Sequence, residues 1–75
     1  MYGYTLALVE ANKLAPRHKL GVKLGRVCIA AGIPVTQVAE YFQVSRTAVY
    51  DWFCGRSNPS WRMEPLIEEY IKKLA

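Results

Sequence analysis

Seventy-five residues suffice for one domain, residues 1–75, but leave little material to wall the cleft an enzyme needs. A composition 52% apolar and 21% charged belongs to a folded chain, not a disordered one. The net charge is +4, and the stretch from Lys13 to Arg62 holds eight basic residues against Glu40 and Asp51, a basic middle suited to a polyanion such as DNA or RNA.

Helical periodicity runs along the chain. No stretch sustains period-two alternation and no Asn-Gly or Asp-Gly turn occurs, so the fold class predicted is all-α, a compact bundle of about five short helices. A first helix is predicted over Thr5 to Leu14, with Thr5 as cap, Leu6, Val9 and Lys13 at helical spacing, and Pro16 as terminator. A second is predicted over Arg17 to Ala31. Leu20, Leu24, Val27, Cys28 and Ala31 make its apolar stripe, and Lys19, Lys23 and Arg26 a basic flank. Gly21 and Gly25, four apart, either admit a neighbouring helix closely or carry no role. Gly32 supplies a left-handed cap and Pro34 opens the next element.

Val35 to Phe42 reads as a two-turn helix burying Val38, Ala39 and Phe42. After the turn Gln43-Val44-Ser45, Ser45 caps a helix from Arg46 to Cys54 whose inward residues are Val49, Trp52 and Phe53, and Gly55 ends it. The last helix is predicted over about 64–74, with Pro65 in its first turn and Leu66, Ile67, Tyr70, Ile71 and Leu74 as its stripe. Its early glutamates and late lysines suit the helix dipole.

Cys28 and Cys54 read as free, buried thiols in a reducing cytosol, since no leader pattern accompanies them; the expected location is cytoplasmic. One His and two distant Cys make no metal site, and no apolar run approaches a membrane span. The aromatic spacing of Phe42, Trp52, Phe53, Trp61 and Tyr70 favours core and interface packing over stacking on unpaired bases. No nucleophile–base arrangement, phosphate loop or carboxylate pair is present, so neither catalysis nor a cofactor is expected.

The motif of interest is 35–56, VTQVAEYFQVSRTAVYDWFCGR. Two helices crossing at a tight corner need a small residue at the crossing, a sharp turn, an apolar plug, and an aliphatic residue inside the second helix. Ala39, Gln43, Val44 and Val49 fall at that spacing, and the second helix then presents its outer face to a major groove. The phrase from Val44 to Trp52 followed by Gly55, with Pro59 and the amphipathic C-terminal helix, resembles the lambda-repressor-like (Cro-type) helix-turn-helix family over roughly Leu20 to Leu74. Two positions depart from the family pattern. Its turn usually carries Gly where Gln43 stands, and its first motif helix often opens on a phosphate-touching Gln where Val35 stands; Gln37 does not occupy that place.

The candidate DNA-binding residues are Ser45, Arg46, Thr47, Ala48, Tyr50, Asp51 and Arg56. Arg46 suits the O6 and N7 of guanine, Thr47 and Ala48 a thymine methyl, and Tyr50 the groove or a phosphate. Asp51 suits a cytosine amino group, pairs with a neighbouring Arg, or reduces non-specific phosphate binding. Ser45 caps its helix and meets a phosphate, and the resemblance implies the same phosphate role for Arg56. Lys19, Lys23, Arg26 and Thr36 are candidates for further phosphate contacts.

The expected partner is double-stranded DNA, and the expected function a repressor-like transcriptional regulator of a phage or mobile element. It is expected to act as a homodimer through the C-terminal helix or the segment holding Tyr2 and Tyr4. Two other readings compete: a module that binds and inhibits a host protein, and a DNA-binding accessory of a recombinase.

Overall fold

The computed structural model describes residues 5–74; Tyr2 and Tyr4 lie outside them. Five α-helices follow one another: α1 (Leu6–Leu14), α2 (Leu20–Ala31), α3 (Val35–Phe42), α4 (Arg46–Cys54) and α5 (Glu64–Leu74), the last entered through a single 3-10 turn at Trp61–Met63. No strand occurs among the described residues. The Cα radius of gyration is 10.9 Å, close to the roughly 11 Å expected of a compact chain this long.

Local chemistry sets the helix ends. The Thr5 hydroxyl accepts from the Leu8 N–H (3.1 Å), and Ala15 turns extended before Pro16. Three helices end on a left-handed residue: Gly32 (φ 72°), Gln43 (φ 58°) and Gly55 (φ 77°). Beyond each, the next N–H reaches back to close the turn: Ile33 to the Cys28 carbonyl at 3.0 Å, Val44 to Ala39 at 3.0 Å, Arg56 to Asp51 at 2.9 Å. These closures satisfy carbonyls that a helix end would otherwise orphan.

One core forms from Leu8, Leu24, Cys28, Val35, Val38, Ala39, Phe42, Val49, Trp52, Phe53, Ile67 and Tyr70. Burying a side chain such as Leu24, Phe53 or Ile67 contributes about 1.5–3 kcal/mol. The Phe42 ring meets those of Tyr70 (5.3 Å, 70°) and Trp52 (6.4 Å, 71°) edge-on.

Several expectations need correction. Helix α2 begins at Leu20, not Arg17, because Lys19 is extended after a turn in which its N–H donates to the Pro16 carbonyl. The buried face of α1 is Leu8 and Asn12; Leu6 is 74% exposed. The stripe of α2 includes the wholly buried Val22, while Ala31 is exposed. On α5, Ile67 and Tyr70 are buried and Leu66 is exposed. The thiols are free, but Cys54 is only half-buried. Trp61 lies outside the core, with the Arg62 guanidinium 5.4 Å from its ring centre.

Two glycines mark the closest contacts of α2. A Cβ built on Gly21 would lie 2.8 Å from the Trp52 carbonyl oxygen and 2.8 Å from its Cβ; on Gly25 it would lie 2.6 Å from Asn12 Nδ2 and 2.8 Å from Phe53 Cγ. The missing side chain of Gly21 thus lets α2 lie against the α4 backbone at Trp52, and that of Gly25 leaves room for the Asn12 and Phe53 side chains. Of the two readings of this glycine pair, close approach of a helix is the one observed.

Candidate nucleic-acid interface

The reading helix of the sequence argument, α4, is fixed from behind. Asn12, buried to 2% exposure, donates through Nδ2 to the Phe53 carbonyl (2.7 Å) and the Val22 carbonyl (3.2 Å), pinning α1 to α4 and α2 together. The Lys19 ammonium donates to the Gly55 carbonyl at 2.9 Å, placing a cation at the negative end of α4. Arg26 donates through Nη2 to the Lys13 carbonyl (3.0 Å) and the Asn12 carbonyl (3.3 Å), closing the end of α1.

In front of α4 the surroundings are open. Ser45, Arg46 and Thr47 are exposed, and Ala48, Tyr50 and Asp51 are half-buried at its flanks. The Ser45 hydroxyl accepts from the Ala48 N–H at 3.1 Å, as the cap requires. No acidic residue occupies the first turn of either α3 or α4, and Glu40, late in α3, is the acid that borders the amino end of α4. A groove of about 450 Å³ runs between the two helices, lined by Thr36, Ala39, Glu40, Gln43, Val44, Ser45 and Arg46. Thr36 thus joins Ser45 and Arg46 on one surface.

Along α4, Thr47, Asp51 and Cys54 recur at i, i+4 and i+7, the stripe opposite Val49, Trp52 and Phe53. Asp51 is engaged within the chain: Arg56 Nε donates to its Oδ1 at 3.1 Å, with the two side chains 35% and 67% exposed. No family model, curated protein or solved structure matches this chain. The functional reading therefore rests on this geometry and on the resemblance of the motif.

The candidate phosphate contacts divide. Thr36 lines the groove beside α4. Lys19 and Arg26 are tied to backbone carbonyls. Lys23 is exposed, on the side of α2 away from the Gly21 and Gly25 contact with α4. The sequence reading gave no role to Asn12, because a lone Asn in a helix pattern reads as surface, nor to Glu40 as a wall of the groove.

Burial pushes the Cys28 thiol up to about 12, so it stays protonated and inert at neutral pH. Tyr70 is also raised, first by burial and then by the neighbouring Cys28 and Tyr41. Neither belongs to the exposed face. Among the described residues no group of His, Cys, Asp and Glu is placed to hold a metal ion, and no helix is long and apolar enough to cross a membrane.

Proposed function

We propose that this chain is a sequence-specific duplex DNA-binding regulator of the lambda-repressor-like, Cro-type kind, such as phages and mobile elements carry. It places α4 in the major groove. The observation that carries the reading is the exposure of Arg46 and Thr47 at the amino end of α4, beside an open groove that Thr36 and Ser45 also line. In this role Arg46 takes a guanine edge, Thr47 and Ala48 contact a thymine methyl, Tyr50 flanks the groove, and Thr36, Ser45 and Arg56 meet phosphates. A homodimer places two copies of α4 on half-sites about one helical turn apart.

The test is duplex binding after selection from a random pool, followed by a salt titration. Affinity falls linearly in log–log form with a slope set by the phosphates neutralised. Arg46→Ala relaxes choice at one base pair, by about 1–3 kcal/mol of discrimination. Lys23→Ala, on the far side of α2, leaves base choice unchanged. Binding and preference that survive Arg46→Ala intact refute α4 as the reader.

A second reading has an observation of its own. Leu6 (74%) and Leu14 (87%) on α1 are widely exposed, a surface suited to a protein partner. Capture of a host protein by the wild-type chain without DNA, lost on Leu14→Glu, favours that reading.

A further inference from the structure

The three left-handed turns close alike in backbone and unlike in side chains. In such a turn the closing residue and the residue it bonds often share an apolar contact. Ile33 with Cys28 and Val44 with Ala39 are apolar pairs in those positions; Arg56 with Asp51 are oppositely charged. The exception falls at the end of the helix proposed to read DNA.

An exposed ion pair normally contributes little, because two long side chains must be held still. Here the backbone sets the two residues side by side. The Arg56 N–H donates to the Asp51 carbonyl at 2.9 Å, and Gly55 between them is left-handed, with its carbonyl taken by Lys19. The Nε–Oδ1 contact of 3.1 Å is made between residues whose backbones are already placed. Asp51 also lies in the middle of the outward stripe of α4, where its carboxylate approaches whatever that face binds.

We infer that Asp51 is a specificity-determining residue acting through Arg56: the pair is a brake on binding to arbitrary duplex. The inference rests on the DNA-binding reading. A carboxylate has no proton to donate. It meets repulsion from phosphates and from the acceptor edges of guanine and thymine, and it is satisfied only by the amino group of cytosine or adenine. Without such an amino group, Asp51 keeps Arg56 paired and its charge compensated. With one, the carboxylate turns to the base and the guanidinium is released to a phosphate.

Asp51→Asn keeps the size and the oxygen acceptor and removes the charge. Fluorescence anisotropy is measured with a mixed-sequence duplex and with the duplex selected from a random pool, for wild type, D51N, R56A and the double variant. D51N tightens binding to the mixed-sequence duplex about fivefold at low salt and steepens its salt slope by about one. The ratio between selected and mixed duplex shrinks. In the R56A background the gain from D51N largely disappears. An equal gain with and without Arg56 overturns the inference in favour of plain charge repulsion. Weaker binding of D51N to every duplex overturns it in favour of a purely positioning carboxylate. Wild-type chain that binds no duplex in a salt-dependent way defeats the DNA reading itself, and this inference with it.

Discussion

Behind α4, Val49, Trp52 and Phe53 are almost wholly buried, Gly21 of α2 lies against its backbone and Gly25 against the Phe53 side chain, and Asn12 and Lys19 hold carbonyls at its end. In front, Arg46 and Thr47 are exposed, and the Asp51 carboxylate meets the Arg56 guanidinium five residues on. One nine-residue helix thus has a fully committed side and a largely uncommitted side. A helix this short has little stability in isolation. Its front can be free of internal duties because the back carries nearly all of the stabilisation. What the fold supplies to function is a helix held still, with a face whose chemistry is available to a partner.

The sharpest test of the committed side is alkaline pH. The Cys28 thiol has an ordinary pKa of 9.0 and is raised to about 12 by burial. Above pH 9 the unfolded chain sheds this proton while the folded chain keeps it, so the folded state binds more protons and stability falls as pH rises. The contribution is complete below pH 9 and is lost between pH 9 and about 12, at about 1.4 kcal/mol per pH unit and about 4 kcal/mol in all. Tyr70, also raised, acts in the same direction. Urea titrations from pH 8 upward should show this decline, and Cys28→Ala should flatten it. A slope unchanged in that variant would place the effect elsewhere.

Next in size is Gly21→Ala. The added methyl meets the Trp52 backbone oxygen at 2.8 Å and Cα at 3.0 Å, atoms that move only if the helix moves. Overpacking of this kind costs about 1–3 kcal/mol, more than the roughly 1 kcal/mol that Ala gains over Gly in helix propensity. A net loss of about 1 kcal/mol should lower the melting temperature by about 4–8 °C, followed by circular dichroism. A variant that melts higher than wild type would show that the two helices are not in close contact.

The same division explains what the sequence alone could tell. The extent of α3, the turn and α4 was legible because each boundary has its own local chemistry: Ser45 caps, Gly55 stops, and Val49, Trp52 and Phe53 repeat at helical spacing. The exposure of Thr47 followed from that periodicity, and that of Arg46 from its place as the first residue of the helix. The inward faces of α1 and α2 were not legible, because they depend on a neighbour rather than on a pattern. Asn12 is polar and counts against burial until two carbonyls are seen to meet it, and Val22 is wholly buried on the flank of two glycines that a stripe of large apolar residues leaves out. Lys19 and Arg26 looked like free surface charge because the carbonyls they serve belong to other parts of the chain. The Asp51–Arg56 pair spans a left-handed glycine, and helical spacing does not reveal it.

The smallest effect expected lies at the hinge between the two motif helices. Gln43 is the one non-glycine residue with positive φ among those described, at 58°. A side chain in that region costs about 1–2 kcal/mol in steric crowding. Its compensation is slight: Gln43 Nε2 donates to the exposed Glu40 carbonyl at 3.2 Å. Gly at this position relieves the crowding, but it adds freedom to the unfolded chain and removes that hydrogen bond. The net gain for Gln43→Gly should be about 0.5 kcal/mol, or a rise of about 2–4 °C in melting temperature. Because the turn geometry is already that of glycine, the groove beside Arg46 keeps its shape, and affinity for a selected duplex should stay within about twofold. A stabilised variant with lost affinity would mean that the Gln43 side chain itself contacts the partner, and the uncommitted surface would then extend across the turn as well as along α4.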